Sequence, residues 1–402
     1  MKNKIKHIMI CRESLSGVGG AERVLFEQSE AIVKKNIKCS VLLLNAKPEL
    51  LSSFHKKVNI IIIGQNKYDD IIFFKNLFKI RKEIKKHKPD FLIALQSLSD
   101  YLIFALLGLN IKYILYKYTS LFYIAEDTKK YSFLHRKVFD EIHSSLKSYK
   151  DNIKKKWDFS FKYLLLNEYF ALRDFIGTKG AFKVLTLTSK SSWEINRLYG
   201  IKSEIWTPGH SFLNRLHVDN RIIDNFKYKF CKDTNTKIVL SVNRLEFRKR
   251  VDLSLEGFNY YHKNHNLNSK LIIIGIGEDE ELLKKKVSDL NISNAVIFVG
   301  LVSDDDLKLF YEIADACISM IWGSWAISVI EPLLYNKPQI ISNEVPDLLK
   351  GIKNLYKVDL DAASIGNTLE KSINLGQLDS LSQMQKLLDW DKVTDKMLSL
   401  VN

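Results

Sequence analysis

The sequence predicts an α/β protein with two parallel-sheet domains. Short apolar segments alternate with stretches of helical periodicity in the first half of the chain, and after a polar interval at about residues 211–236 the same alternation begins again. Continuous apolar segments of this kind are typical of strands buried on both faces, as in a parallel sheet with helices on either side. A length of 402 residues accommodates two domains of ordinary size. We expect the two domains to face each other across a cleft.

The predicted strands follow one another along both halves of the chain. In the first domain they are Ile5 to Cys11, Cys39 to Leu44, Val58 to Ile63, Phe91 to Leu95, Tyr113 to Tyr116 and Phe182 to Leu187. In the second domain they are Lys237 to Val242, Leu271 to Ile274, Val296 to Val299, Ala316 to Ser319 and Gln339 to Ile341. Because open α/β sheets bind ligands at the carboxyl ends of their strands, we expect the functional residues in the loops that follow these segments.

These patterns also predict the domain boundaries. We expect a first α/β domain at residues 1–210, an irregular polar linker at 211–236, a second α/β domain at 237–389 and, at 390–402, a helix that returns to the first domain. Residues from about 121 to 167 are rich in lysine and aromatic side chains at helical spacing. This basic insertion is either a solvated helical segment or an amphipathic surface for anionic lipid or a lipid-linked substrate.

Composition limits the partners and the compartment. The net charge of +15 favours polyanions, namely nucleic acid, anionic lipid surfaces or phosphorylated small molecules. Nucleic acid is disfavoured because no recognition module is visible and the lysines are dispersed. The cysteines Cys11, Cys39, Cys231 and Cys317 lie far apart, which indicates neither a disulfide framework nor a zinc site. No segment reaches the ~20 apolar residues of a membrane span. We therefore expect a cytoplasmic protein, at most peripheral at the inner face of the membrane.

A glycine turn follows the first predicted strand and opens a helix. Gly17, Gly19 and Gly20 allow backbone N–H groups to approach a phosphate at a helix N-terminus, although a purely structural turn fits the same residues. The dinucleotide fingerprint GxGxxG fails here, because Glu22 occupies the third glycine position, and fails again after Gly275 and Gly277, where that position is Glu280. An NAD-dependent enzyme is therefore disfavoured.

Charged side chains follow strands of the second domain. Arg244, Lys249 and Arg250 come after its first strand, where they are placed to neutralise a diphosphate; a basic solvated loop is the alternative. Glu331 is expected to head an apolar helix beside a strand end and to accept hydrogen bonds from a ribose diol, although stabilisation of the helix dipole explains it equally well.

Two further polar features have simpler interpretations. Ser303, followed by Asp304, Asp305 and Asp306, is typical of an N-cap with acids in the first helical turn, so we predict no metal site there. His210 lies at the expected junction between the domains and is predicted to face the cleft.

Taken together and in order, these residues resemble the GT-B fold glycosyltransferases of family 4, over almost the whole chain. The resemblance is carried by Gly19-Gly20-Ala21-Glu22, Ser189-Lys190 through Tyr199-Gly200-Ile201, Pro208-Gly209, Arg244 with Lys249, Gly275-Ile276-Gly277, Val299-Gly300, and Glu331 followed by Asn336-Lys337-Pro338. It implies two Rossmann-like domains, with the acceptor in the first and a nucleotide-diphosphate sugar in the second.

The resemblance also implies an activity and a set of site residues. The activity is retaining, metal-independent transfer of a sugar from a nucleotide-diphosphate sugar to a glycan or lipid-linked acceptor, with no cofactor beyond the nucleotide sugar as co-substrate. Arg244 and Lys249 would bind the diphosphate and act in catalysis, and Glu331 would bind the ribose. The residues implied to bind the donor are Gly19, Gly20, Gly300, Leu301, Val302, Ile327, Ser328 and Glu331.

The sequence departs from the family pattern at two places. The first glutamate of the family's Glu-x7-Glu motif is replaced by Gly323, and Tyr118, with Lys117 beside it, stands where many relatives carry a histidine that contacts the sugar. The predicted sugar or acceptor contacts are Tyr118, His210, Gly323, Ser324 and Trp325. Two alternatives remain open: a catalytically silent GT-B protein that binds a nucleotide sugar, and a nucleotide-sugar epimerase.

Overall fold

The computed structural model of the chain forms two compact units. It describes residues 5–17, 19–64, 70–96, 98–118, 138, 141, 161–210, 219–321, 327–345, 349 and 351–401. The first unit combines Met1–Ser211 with Leu388–Asn402, and the second is Phe212–Leu387. Most of the predicted insertion at 121–167 and the first part of the predicted linker lie outside the described residues.

The first unit is built around a seven-stranded parallel sheet in the order β3-β2-β1-β4-β5-β6-β7. Its strands are β1 (His7–Leu15), β2 (Lys38–Ala46), β3 (Asn59–Ile62), β4 (Phe91–Leu95), β5 (Lys112–Lys117), β6 (Lys183–Thr186) and β7 (Glu204–Ile205). Its first helices are α1 (Gly20–Lys34), α2 (Asp70–His87), α3 (Ser99–Ala105), α4 (Phe161–Lys179) and α5 (Ser189–Tyr199), with a 3₁₀ helix at Pro48–Ser53.

The second unit repeats this plan with a six-stranded parallel sheet in the order β10-β9-β8-β11-β12-β13. Its strands are β8 (Lys237–Val242), β9 (Ser269–Ile274), β10 (Val296–Gly300), β11 (Ala316–Ser319), β12 (Gln339–Ser342) and β13 (Leu355–Val358). Its helices are α6 (Asn220–Phe230), α7 (Val251–Asn264), α8 (Glu280–Asp289), α9 (Asp304–Ile313), α10 (Ile327–Leu334), α11 (Ala362–Leu375) and α12 (Leu381–Leu387), with a 3₁₀ turn at Phe247–Lys249.

Strand order places a topological switch point in each sheet. In the first unit the chain runs outward from β1 to β3 and returns to β4 on the other side of β1; in the second it runs from β8 to β10 and returns to β11. Loops that leave neighbouring strands in opposite directions open a crevice at the carboxyl edge of the sheet. The glycine turn follows β1 and the Arg244 loop follows β8, so each lies at the switch point of its own sheet.

The α/β class and all the predicted strands are confirmed. The central strands β2, β4 and β8 are buried along most of their length, which explains their continuous apolar sequences. The edge strands β7 and β13 were not predicted; β7 has two residues, and most of β13 is only partly buried. Within the described residues, no helix is both long enough and apolar enough to cross a membrane.

Part of the predicted irregular linker is helical. Asp219 caps α6 through a side-chain hydrogen bond to the backbone N–H of Arg221. The rings of Phe226 and Phe230 then pack against Phe310 of α9, with centroids 4.9 and 5.1 Å apart. An amphipathic helix is stabilised by burying its apolar face, and α6 does so within the second unit.

The chain ends with α13 (Trp390–Ser399), which packs on α1 in the first unit. Trp390 Nε1 donates a hydrogen bond of 2.8 Å to Glu27, and Lys35 forms an ion pair of 2.8 Å with Asp395. A Cβ atom on Gly209 would lie 2.4 Å from the Trp390 ring, so the glycine permits this close approach.

Candidate functional site

Three loops of the second unit lie against one another at the carboxyl edge of its sheet. Four backbone hydrogen bonds connect them, from Asn243 to Ile274 (3.0 Å), from Leu245 to Ile276 (3.0 Å), from Asp279 to Leu245 (3.0 Å) and from Gly275 to Gly300 (2.8 Å). The loop after β8 is therefore fixed by the loop after β9, which in turn is fixed by the end of β10. A fixed backbone holds the side chains that project from it in a defined place, as a binding site requires.

Arg244 and Lys249 both project from the loop after β8. The Arg244 side chain is exposed and Lys249, at the end of the 3₁₀ turn, is half-buried. Within the described part of the chain, neither side chain has a hydrogen bond or an ion pair. The pKa of Lys249 is lowered to about 8, mainly by burial; the positive charges of Arg248 and Arg244 contribute to this shift and the negative charge of Glu246 opposes it. The two cations are thus close enough to repel each other, which an anion would relieve.

Two other arginines of this segment form ion pairs within the protein. Arg248 donates to Glu246 at 2.7 Å. Arg250 is buried, has a φ of +49° and donates to Glu344 at 2.7 Å. Because these guanidinium groups are paired with carboxylates, they are less available to bind an external anion than the side chains of Arg244 and Lys249.

The end of β10 is open to a ligand. Gly300 has a φ of +79°, and a Cβ atom at this position would meet nothing within 4 Å. Leu301 is 73% exposed and Val302 is partly buried. Ser303 then caps α9, accepting a hydrogen bond of 3.1 Å from the backbone N–H of Asp306, and this confirms the predicted N-cap.

Glu331 lies one turn inside α10, so the prediction that it heads the helix is wrong. The described helix begins at Ile327, and the buried residues Val329, Ile330, Leu333 and Leu334 recur at helical spacing. Ile327 and Ser328 are partly buried in its first turn. Glu331 is buried, and its Oε2 accepts a hydrogen bond of 2.7 Å from the hydroxyl of Tyr311 on α9. Sequence reasoning missed Tyr311.

The predicted residues Gly323, Ser324 and Trp325 lie outside the described residues. They belong to the connection between β11 and α10. Ser319, at the end of β11, donates a hydrogen bond of 3.2 Å to Asn243, at the end of β8. This hydrogen bond therefore connects the carboxyl ends of β8 and β11, the two neighbouring strands at the switch point of the second sheet, beside the Arg244 loop.

In the first unit, Gly19 and Gly20 form the start of α1. Gly19 is the N-cap residue, and its carbonyl accepts a hydrogen bond of 3.0 Å from the backbone N–H of Arg23. Glu22, in the first helical turn, forms an ion pair of 2.5 Å with Arg12 of β1. A carboxylate at a helix N-terminus is favourable, and here it also ties the turn to the central strand.

Tyr118 and Lys117 follow each other at the end of β5. Tyr118 is buried, its ring centroid lies 4.4 Å from that of Tyr116, and its hydroxyl has no hydrogen-bond partner within the described residues. Burial raises the pKa of Tyr118. Lys117 is buried as well, but its ammonium group is held by both carboxylate oxygens of Asp174, at 2.9 and 2.8 Å. Tyr118 is therefore the more available of the two side chains.

His210 is buried within the first unit. Its backbone N–H donates to the carbonyl of Leu388 at 2.9 Å, next to the start of α13. Burial lowers the pKa of His210 to about 3, and the positive charge of Arg23 adds to this shift. The imidazole is therefore neutral at physiological pH. Its role as a sugar or acceptor contact stays a prediction.

The cysteines form no disulfide, and the described acidic side chains form no metal-binding group. All four cysteines are buried and unpaired. In the described ranges, no three His, Cys, Asp or Glu side chains come together as a metal-binding group.

Comparison with known proteins gives a family match and a fold match. Residues 223–367 match the family model described as glycosyl transferases group 1. An uncharacterised glycosyltransferase of Methanocaldococcus jannaschii is 28% identical over 131 residues, which cover 32% of this chain and 33% of that protein. The chain spans between 33% and 40% of the length of the first three curated relatives that it matches.

Two longer matches extend over both units. The GalNAc-α-(1→4)-GalNAc-α-(1→3)-diNAcBac-PP-undecaprenol α-1,4-N-acetyl-D-galactosaminyltransferase of Campylobacter jejuni is 24% identical over 357 residues, covering 87% of this chain and 81% of that protein. The crystal structure of Anabaena HepE in complex with UDP-glucose matches with a TM-score of 0.68 and 13% identity, covering 98% of this chain and 99% of that one.

These findings confirm the predicted resemblance and fold class. The chain has the GT-B type of fold, with two Rossmann-like parallel sheets, and its second unit carries the group 1 glycosyltransferase match. The family match, over residues 223–367, is therefore to glycosyltransferases.

Proposed function

We propose that the chain transfers a sugar from a nucleotide-diphosphate sugar to an acceptor hydroxyl. The observation that carries this proposal is the pair Arg244 and Lys249 at the switch point of the second sheet, two neighbouring cations whose side chains form no hydrogen bond or ion pair in the described part of the chain. A diphosphate leaving group develops negative charge as it departs, and fixed cations stabilise that charge. The UDP-glucose named for the Anabaena structure is a donor of this kind.

The proposed reaction retains the configuration at the anomeric carbon. The bond between that carbon and the diphosphate oxygen breaks while the acceptor oxygen forms the new glycosidic bond on the same face. The acceptor proton passes to the leaving phosphate oxygen. Arg244 and Lys249 stabilise the departing diphosphate, so we propose that transfer is independent of a metal ion. Gly300 and the backbone of Leu301 and Val302 line the proposed site of the base.

A second candidate is a GT-B protein that binds the nucleotide sugar without transferring it. Gly323 favours this alternative, because it removes the carboxylate that the family places on the sugar side. The Gly323→Glu variant separates the two candidates. An impaired transferase is expected to gain rate, whereas a silent protein stays inactive with every acceptor. Consumption of the donor without an acceptor would instead indicate the epimerase reaction.

The acceptor that we propose is lipid-linked and reached at an anionic membrane surface. The name of the Campylobacter jejuni relative includes an undecaprenol-linked glycan. On α2, Phe74 and Phe78 are 59% and 69% exposed, and Lys82 and Lys85 are exposed on the same helix. Exposed aromatic side chains beside lysines are typical of helices that rest on anionic lipid.

Vesicle co-sedimentation tests this acceptor environment. We expect the protein to bind phosphatidylglycerol-containing vesicles at moderate salt, and Phe74→Ser with Phe78→Ser to reduce the bound fraction. Leu267→Ser, at a 74% exposed position of the second unit, is the matched control. Equal binding of both variants would contradict the assignment of α2 as the lipid-facing helix, and no binding by the unaltered protein would contradict membrane association.

The Arg244→Ala, Lys249→Ala double variant tests the proposed catalytic pair. We expect its kcat/KM with the best nucleotide sugar to fall by about a hundredfold or more, as after the loss of charge-assisted contacts to a transition state. Arg248→Ala is the matched control, because that arginine lies in the same loop but is paired with Glu246. Unchanged turnover in the double variant would refute the role of the pair.

A further inference from the structure

Tyr311 and Glu331 form a buried contact between two helices of the second unit. Tyr311 is completely buried on α9, Glu331 is 3% exposed on α10, and the hydroxyl lies 2.7 Å from Oε2 of the carboxylate. The rings of Tyr311 and Tyr335 are stacked with centroids 5.3 Å apart, which fixes the direction of the hydroxyl. This contact was not evident in the sequence, because the two residues belong to different helices.

The direction of the hydrogen bond is settled by protonation. Burial raises the pKa of Tyr311 well above its ordinary value, and the negative charge of Glu331 raises it further. Tyr311 therefore keeps its proton at physiological pH and donates to the carboxylate. A carboxylate accepts several hydrogen bonds, since its two oxygens together present about four lone-pair sites. The hydrogen bond from Tyr311 occupies one of these sites.

We infer that Tyr311 is a positioning residue, whose hydroxyl orients the Glu331 carboxylate for the ribose diol of a nucleotide. This inference rests on the proposed function, in which Glu331 binds the ribose. Two vicinal hydroxyls require a carboxylate in one defined plane, and a donor anchored on a neighbouring helix prevents the carboxylate from rotating out of it. Because Tyr311 is completely buried, it acts on the nucleotide only through Glu331.

The Tyr311→Phe variant tests this role through ribose discrimination. UDP, GDP and ADP are each compared with their 2′-deoxy counterparts by calorimetry, and the unaltered protein is expected to prefer the ribose form of its nucleotide about tenfold or more, as for a lost hydrogen bond to a charged group. Tyr311→Phe should lose most of this preference. It should also raise KM for the nucleotide sugar more than it lowers kcat. Tyr261→Phe, at an equally buried tyrosine of the same unit, should retain the preference.

A double-variant cycle supplies a second measurement. Glu331→Gln is expected to reduce the ribose preference as much as Tyr311→Phe does, and the double variant should show no additional loss, because both changes disable one contact. Additive losses would overturn the inference. If Tyr311→Phe does not fold, Tyr311→Met takes its place in the same cycle.

The outcomes separate the inference from the proposed function. Full ribose preference in a folded Tyr311→Phe variant would overturn the role of Tyr311 and leave the proposed function standing. Failure of the unaltered protein to bind any nucleotide or nucleotide sugar would overturn the proposed function and the inference with it. Loss of the preference in Tyr311→Phe but not in Tyr261→Phe would support the inference.

Discussion

A Cβ atom on Gly275 would lie 1.9 Å from the backbone carbonyl oxygen of Asn243. Gly277, two residues later, is equally close to the same loop, since a Cβ atom there would lie 2.1 Å from the carbonyl oxygen of Leu245. No real side chain tolerates such distances to backbone atoms. The two glycines therefore allow the loop after β9 to lie directly against the loop that carries Arg244, which makes them part of the support for the candidate site.

Gly275→Ala is expected to destabilise the second unit and to weaken nucleotide binding. Gly275 has a φ of +129°, which costs a residue with a side chain about 1–3 kcal/mol, and the overlap with Asn243 adds to that cost. Gly300→Ala is the control, since Gly300 also has a positive φ but space for a Cβ atom. Urea unfolding measures the free energy of unfolding of both variants. Equal losses in the free energy of unfolding would contradict the steric explanation.

Donor binding is expected to depend on the charge of Lys249. Because burial lowers the pKa of this lysine to about 8, the unliganded protein loses the positive charge as the pH rises through that value. Affinity for the nucleotide sugar that binds best should be constant below pH 7 and fall above pH 8, at a limiting slope of about tenfold per pH unit.

Lys249→Arg provides the control for this pH dependence. Arginine keeps its charge throughout the range, so the affinity of the variant should stay flat between pH 7 and 9.5. Calorimetric titrations at several pH values give the two profiles. A flat profile for the unaltered protein would exclude Lys249 as a contact whose charge matters for the diphosphate.

His210 is expected to make the first unit sensitive to acid. Its pKa is about 3 in the folded protein, against ~6.5 for an unfolded histidine, so the unfolded state binds the proton first. The stabilising effect of the neutral ring is complete above pH 6.5 and is lost as the pH falls toward 3, by at most about 1.4 kcal/mol per pH unit.

Urea unfolding between pH 7 and 4 measures this sensitivity. In His210→Gln the free energy of unfolding should change less steeply with pH. The difference in slope from the unaltered protein should correspond to the binding of about one proton on unfolding. His55→Gln, at a partly exposed position of the same unit, should retain the original slope. Identical slopes for His210→Gln and the unaltered protein would mean that other groups cause the acid sensitivity.

The strands of both sheets could be predicted because burial on both faces of a sheet produces a local apolar pattern in the sequence. Each central strand is a continuous apolar segment, whatever the rest of the chain does. Apolar residues are a weaker guide at the helix of Glu331, which was expected to begin at Glu331, whereas the apolar residues 327–330 before it already form a helical turn. A short apolar segment does not distinguish a strand from a buried helical turn by periodicity.

Only part of the site could be predicted from the sequence. Ion pairs and hydrogen bonds between residues far apart in the chain are not visible in a local sequence pattern. Arg244, Lys249 and Arg250 look alike in the sequence, yet Arg250 is buried against Glu344, ninety-four positions away. Likewise, Glu331 was identified from its position in a motif, whereas the hydroxyl that holds it comes from Tyr311 on another helix. The fold decides which charges remain available to a ligand.

The attachment of α13 to the first unit is expected to contribute measurably to stability. Trp390 packs against Gly209 and donates to Glu27, so Trp390→Ala removes both a large apolar contact and a hydrogen bond. We expect the free energy of unfolding to fall by about 2 kcal/mol or more, within the lower range of large-to-small substitutions because the ring is only partly buried. Trp193→Ala, at a 45% exposed position of the same unit, should change it by no more than about 0.5 kcal/mol. Denaturant unfolding followed by circular dichroism compares the two variants, and a loss at Trp390 no larger than that at Trp193 would mean that the terminal helix rests on the first unit without stabilising it.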